Sequence, residues 1–367
     1  VTAEPSAAVS ADTADGETAS EDSVQELESE AEAVVTAANV SSDGAIDASD
    51  LFTNRDLRQT ADLSEAVYYT VNSGEDITIT TEGVYVFSGT ASEVTITVEA
   101  EDEDKIQLVL DGVGITNADF PCIYVKNAGK VFVTTTGSDN SLTVSGSFTA
   151  DGDTNTDAVI FSKDDLVLNG LGTLRISSTD NGVSGKDDLK ITGGTLIVSA
   201  SGHAIEANDS ICIAGGTITL TAGTDGLHAA DDSDASTGYV YICGGTLNIR
   251  AGDDAIHAVT IVQIDDGDIA ISAAEGIEAT WVQINGGSIS ISASDDGING
   301  AQKSRAYTVT VEINGGTLTI VMGAGDTDGI DSNGNLYING GIIDITAQSP
   351  FDYDGTAQYN GGTIIVN

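Results

Sequence analysis

Carboxylates recur in this chain at intervals that bring them side by side. Asp225, Asp254, Glu275, Asp296 and Asp328 each stand just before a short apolar run, one repeat apart from the next. If the repeats stack as parallel strands, the five form one row with about 4.8 Å between neighbours. Unit charges at that spacing repel by about 3.5 kcal/mol at an effective dielectric of 20, and by under about 1 kcal/mol in bulk water. A solvated row tolerates this repulsion, whereas a partly sheltered row calls for cations. Calcium suits such a row, because it accepts several carboxylate and carbonyl oxygens at loose geometry. Asp253 and Asp295 thicken the same corner. No fixed-spacing calcium loop is present, so a plain solvated acidic face is the competing reading.

Just beyond the ladder, on the outward side of the same runs, lies a second column: Glu206, His228, His257, Glu278, Asn299 and Asp331. The candidate metal ligands are therefore the five ladder acids with Asp253, Asp295, Glu278 and Asp331. His228 and His257 are adjacent in their column, which fits a metal pair, a sugar-contacting pair or two solvated histidines. His203 falls at the ladder position itself and reads as a corner residue. A further acidic row, Asp164, Asp187, Asp209 and Asp231, belongs to the next corner of earlier repeats. Insertions at residues 229–238 and 300–308 leave the same corner, and long loops on one side of a repeat array commonly wall a groove. The candidate sugar contacts are His228, His257, Asn299, Arg250, Trp281 and Tyr307.

The elements that must position these residues are short strands. Gly-Gly followed by an alternating Thr/Ser-rich run recurs with its second glycine at 194, 216, 245, 287, 316, 341 and 362, and Asp266-Gly267 fills the gap after 245. A period near 22 residues with occasional insertions marks a stacked array. Three columns stay apolar in every repeat. One runs Leu196, Ile218, Leu247, Ile269, Ile289, Leu318, Ile343; a second runs Val198, Leu220, Ile249, Ile271, Ile291, Ile320, Ile345. The third is Val183, Ile205, Leu227, Ile256, Ile277, Ile298, Ile330. The residues between are polar, as half-buried strands require. The expected fold is all-β: a right-handed parallel β-helix with three short strands per coil. It spans residues 51–367, with less regular coils over 75–190 and regular Gly-Gly coils over 190–367.

Composition limits the partners. With 58 acidic and 12 basic residues the net charge is −46, which argues against nucleic acid and anionic membranes. Cys122, Cys212 and Cys243 form neither a disulfide framework nor a zinc motif. No apolar run approaches a membrane span. Residues 1–50 carry 13 acids and no Lys or Arg, and read as a disordered acidic spacer in which only 21–38 has any helical character. A chain opening on Val1 leads us to expect a removed signal peptide, hence an extracellular or cell-surface location with an anchor outside this sequence.

Several strings look familiar. Leu-Phe-Thr-Asn-Arg-Asp-Leu at 51–57, Gly-Val-Tyr-Val-Phe-Ser-Gly-Thr at 83–90 and Ile-Gln-Leu-Val-Leu-Asp-Gly-Val at 106–113 occur in that order. Ala-Val-Ile-Phe-Ser-Lys-Asp-Asp-Leu at 158–166 and the Gly-Gly repeats follow. Over residues 50–367 the chain resembles a bacterial surface family of carbohydrate-binding β-helix domains, long catalogued as a domain of unknown function. The resemblance implies an architecture similar to pectate-lyase-type enzymes, binding of cellulose-like and acid-sugar polymers, bound calcium, and no established lyase activity.

Three functions follow for testing. In the first, calcium on the ladder bridges to an acidic polysaccharide such as polygalacturonate, without catalysis. In the second, a calcium-dependent lyase needs a basic residue poised near the metal, yet Arg175, Lys186, Lys190, Arg250, Lys303 and Arg305 form no cluster in sequence. The third is a structural surface adhesin.

Overall fold

The computed structural model describes residues 46–231, 236–325 and 327–367. The acidic segment before residue 46 and the loop acids Asp232 and Asp234 lie outside the described residues. Ala48–Asp50, a single 3-10 turn, is the only helix among them. Everything else with regular structure is strand.

The strands pair in parallel, each with the strand one repeat further on. In the first ladder Val131, Leu166, Leu189, Ile211, Val240, Val262, Val282, Val311, Leu336 and Ala357 lie in register. The second carries Leu196 to Ile343 and Val198 to Ile345 as the repeats require. The third aligns Val183, Ile205, Leu227, Ile256, Ile277, Ile298 and Ile330. These columns point inward and merge into one buried apolar core. The result is an all-β, parallel sheet closed around that core.

Each Gly-Gly pair satisfies two steric demands. The second glycine turns the chain with positive φ, +85° at Gly287 and +81° at Gly316, which side chains disfavour. The first, except at Gly193 where the Gln59 side chain takes the space, lies against the preceding repeat: a Cβ on Gly286 would sit 2.3 Å from the Asp265 carbonyl oxygen. At one end of the stack Tyr69 lies flat on Phe87 at 5.5 Å and closes the core.

Among the described residues, Ile46 already contacts the fold: its backbone N–H donates to Gln263 Oε1. From there to Gln59 the chain crosses the outer face of the first ladder. Lys190 Nζ donates to the Leu51 carbonyl, Arg55 stacks over Phe132 and Asn169 Nδ2 bonds the Asp56 and Arg58 carbonyls. This crossing accounts for the burial of Phe132, Lys190 and Tyr241 on a face that points away from the core.

Candidate functional site

The third ladder presents the acidic residues. Glycine or alanine follows each of them and allows close backbone packing: Gly226 N donates to the Asp254 carbonyl, Gly276 N to Asp296 and Gly297 N to Asp328. The side chains just before these contacts are thus forced into a row. Asp225 and Asp254 are only 4% and 6% exposed. Asp225 Oδ1 accepts the Asp254 backbone N–H at 3.0 Å, and Asp296 Oδ1 accepts that of Asp328 at 3.2 Å.

The neighbouring column supplies most of their partners. His203, His228 and His257 stack ring on ring at 4.2 and 4.8 Å. His228 Nδ1 lies 2.6 Å from Asp225 Oδ2, and His203 Nδ1 lies 3.2 Å from the same oxygen. His257 Nδ1 bridges Asp254 Oδ2 at 2.7 Å and Glu278 Oε2 at 3.0 Å. Lys303, from the 300–308 loop, places Nζ 2.7 Å from Glu278 Oε1. Asn299 Nδ2 donates to Glu275 Oε2 and Glu278 Oε1, and its Oδ1 is buried without a partner.

These contacts divide the row into two electrostatic halves. Burial pulls the Asp225 carboxyl upward, but the bonds to His203 and His228 hold it below the usual range. Burial likewise opposes charge on His257, yet Asp254 and Glu278 together hold its pKa up at about 9. Glu278 is lowered against its burial by His257 and Lys303. Asp254 is raised, chiefly by burial and then by the charges of Glu278 and Asp225. Beyond Glu278 no Lys, Arg or His pairs with the row among the described residues. Burial and the surrounding carboxylates push Glu275 to about 7, and Asp296 and Asp331 to about 6. Asp296 thus raises both Glu275 and Asp331, and only neutral donors, Asn299 on Glu275, the Asp328 backbone N–H on Asp296 and Asn333 on Asp331, act against the rise.

Among the described residues, three groups are compact enough to hold a metal ion, each with its ligand atoms within 4.8 Å of one another: His203, Asp225, His228; Asp225, Asp254, His257; and Asp254, Glu275, Glu278. The last offers only oxygen and fits a hard cation such as calcium. Other candidates fall elsewhere. Asp253 and Asp295 are exposed at the corner, outside all three groups. Arg250 is exposed on the second ladder beside Thr221 and Ser272. Trp281 meets Tyr307 edge-on at 6.2 Å, is half-buried and has a buried indole N–H without a partner. It is a packed pair rather than a flat exposed platform. The insertions after Ala229 and Gly300 do leave equivalent points of the third ladder.

Sequence reasoning passed over His203 and left Lys303 without a role. His203 did carry a signal, since it occupies the ladder position one repeat before Asp225. Also missed was the Asn285, Asn314, Asn339, Asn360 ladder, in which the last three amides each donate to the side-chain oxygen of the asparagine before. An asparagine before four of the Gly-Gly pairs was its signal.

No helix among the described residues is long and apolar enough to cross a membrane. A curated relative described as a carbohydrate-binding domain-containing protein, from Acetivibrio thermocellus, is 41% identical over 126 residues. That match covers 33% of this chain and 44% of the relative, less than half of its length. A solved structure of a polysaccharide lyase-like protein from C. thermocellum, a gadolinium derivative, is 36% identical with a TM-score of 0.55. It covers 58% of this chain and 92% of its own. A family model described as carbohydrate-binding domain-containing protein matches residues 73–355, and the chain belongs to that family.

Proposed function

We propose that this protein binds polysaccharide without cleaving it, through calcium held on the carboxylate ladder, and that its sheet is a right-handed parallel β-helix exposed at a bacterial cell surface. About 98% of parallel crossover connections are right-handed, which supports the hand. The observation that carries the function is the compact all-oxygen group of Asp254, Glu275 and Glu278, in which and beside which Glu275, Asp296 and Asp331 hold protons more tightly than ordinary carboxylates do. A divalent cation relieves that repulsion and still has coordination positions left for the carboxylates or hydroxyls of a sugar polymer. Calcium then explains how so acidic a protein can take up an acidic polymer such as polygalacturonate; neutral cellulose is a second candidate.

A calcium-dependent lyase is the alternative, favoured by the lyase-like character ascribed to the solved relative. Such an enzyme needs a free base beside the cation. Of the lysines in the regular repeats, Lys186 lies 3.6 Å from Glu206, Lys190 bonds the Leu51 carbonyl and Lys303 pairs with Glu278. These three lysines are engaged, which supports binding over cleavage, while Arg175 and Arg250 stand exposed on the second ladder and Arg305 is exposed in the 300–308 loop. The test is retention on immobilised polygalacturonate and on cellulose, with calcium and with chelator, while the supernatant is followed for unsaturated products. Calcium-dependent retention without product is expected. Product formation would establish the lyase, and no retention under any condition would leave a structural role.

A further inference from the structure

We propose that Lys130 and Asp56 join through an intramolecular amide bond, with Asp165 as proton carrier, so that the segment over residues 46–59 is tied covalently to the first ladder. Asp56 is fully buried beneath that segment although it carries a carboxyl. Its Oδ2 accepts the Thr53 backbone N–H at 2.9 Å, while its Oδ1 is buried without a hydrogen bond. Lys130 Nζ lies 3.6 Å from that Oδ1, beyond hydrogen-bond reach, and 3.0 Å from Asp165 Oδ2. The Lys130 and Asp165 side chains are only 14% and 25% exposed. Dehydrating an ion pair is costly, and an orphaned carboxylate oxygen adds to that cost. An amide removes both charges and the orphan together.

The fold holds the three reacting groups together. Leu166 pairs with Val131, and the Val131 N–H donates to the Asp165 carbonyl, which sets Lys130 beside Asp165 in adjacent repeats. The crossing segment brings Asp56 in from outside. Arg55 stacks over Phe132 at 4.6 Å, and Asn169 Nδ2 and Thr192 Oγ1 both donate to the Asp56 carbonyl. Such placement turns a slow encounter into a step within one molecule. As an ion pair the groups are inert: burial opposes charge on Lys130, but Asp165 and Asp56 keep it a cation. Asp165, whose affinity for protons burial raises, takes a proton from Nζ and passes it to Oδ1. The freed amine then attacks Asp56 Cγ, while the Thr53 N–H steadies the charge that grows on Oδ2. The C–N bond forms, the Cγ–Oδ1 bond breaks, and Oδ1 leaves as water with a second proton shed by the nitrogen. Both protons come from the ammonium, so Asp165 ends as it began and no other reactant is consumed.

The test is the intact mass of the full chain, held folded at neutral pH, followed by trypsin digestion after unfolding. The wild type should weigh one water less than its sequence. Lys130 should resist trypsin, and residues 127–163 should be recovered joined to residues 56–58. Lys130→Ala should keep the full mass of its own sequence. Asp56→Asn should lose ammonia in place of water and reach the same final mass as the wild type, because the amide formed is the same. Asp165→Asn should leave the two peptides separate. A wild-type chain of full mass that is cleaved at Lys130 would overturn the proposal, as would a water loss that maps to other residues. Joining that proceeds equally in Asp165→Asn would remove Asp165 from the reaction.

Discussion

Replacing His257 with glutamine removes the cation that Asp254 and Glu278 share. The His257 side chain is 12% exposed, and its pKa rises from 6.5 to about 9. At 1.36 kcal/mol for each tenfold change in proton affinity, this corresponds to about 3 kcal/mol of folding free energy. Because the folded value is the higher one, the stabilisation is complete below pH 6.5 and disappears as pH rises through about 9. Urea unfolding of wild type and His257→Gln, in chelator, reads the difference directly. The wild type should be more stable by about 3 kcal/mol near pH 6 and by almost nothing above pH 9.5. A difference that stays constant from pH 6 to 9.5 would mean that His257 acts through packing, and would refute the ion-pair reasoning.

Three more outcomes are expected. Glu275, Asp296 and Asp331 have raised pKa values of about 7, 6 and 6; their stabilisation is full below the unfolded values and is lost as pH rises through the folded ones. Calcium should therefore raise the melting temperature clearly at pH 8 and little at pH 5, as followed by circular dichroism. Lys303→Ala frees Glu278 from its ion pair and should tighten calcium roughly fivefold, the equivalent of about 1 kcal/mol for a partly exposed pair, as read by calorimetry. Ile277 is fully buried in the third ladder, so Ile277→Ala should cost about 2–5 kcal/mol in urea unfolding, and Ile277→Val only about 0.5–1.5 kcal/mol.

The three inward columns were legible because the strand period and the repeat length act together. A one-residue slip would expose every inward residue of a strand, so Leu196 to Ile343 could align in only one way. The same reasoning placed Asp225, Asp254, Glu275, Asp296 and Asp328 in one row. Side-chain reach was not legible. Phase alone shows that Glu278 and His257 are neighbours, but not that the imidazole turns toward two acids at once. Lys303 lies in an insertion with no repeat to set its position, yet it ends 2.7 Å from Glu278. The segment from Ile46 to Gln59 was equally hidden. It crosses repeats more than a hundred residues away in sequence, and nothing local in Asp56 or Gln59 announces bonds to Asn169, Gly170 and Thr192.

The central claim is that the uncompensated carboxylates hold calcium and that calcium holds the polymer. It is tested most directly by titrating polygalacturonate oligomers into wild type and into Asp254→Ala/Asp296→Ala, each with calcium and with chelator, in a calorimeter. Binding is expected for the wild type in calcium alone, with both calcium and polymer affinity lost in the double variant. Equal affinity in the two proteins, or polymer binding that persists in chelator, would contradict it.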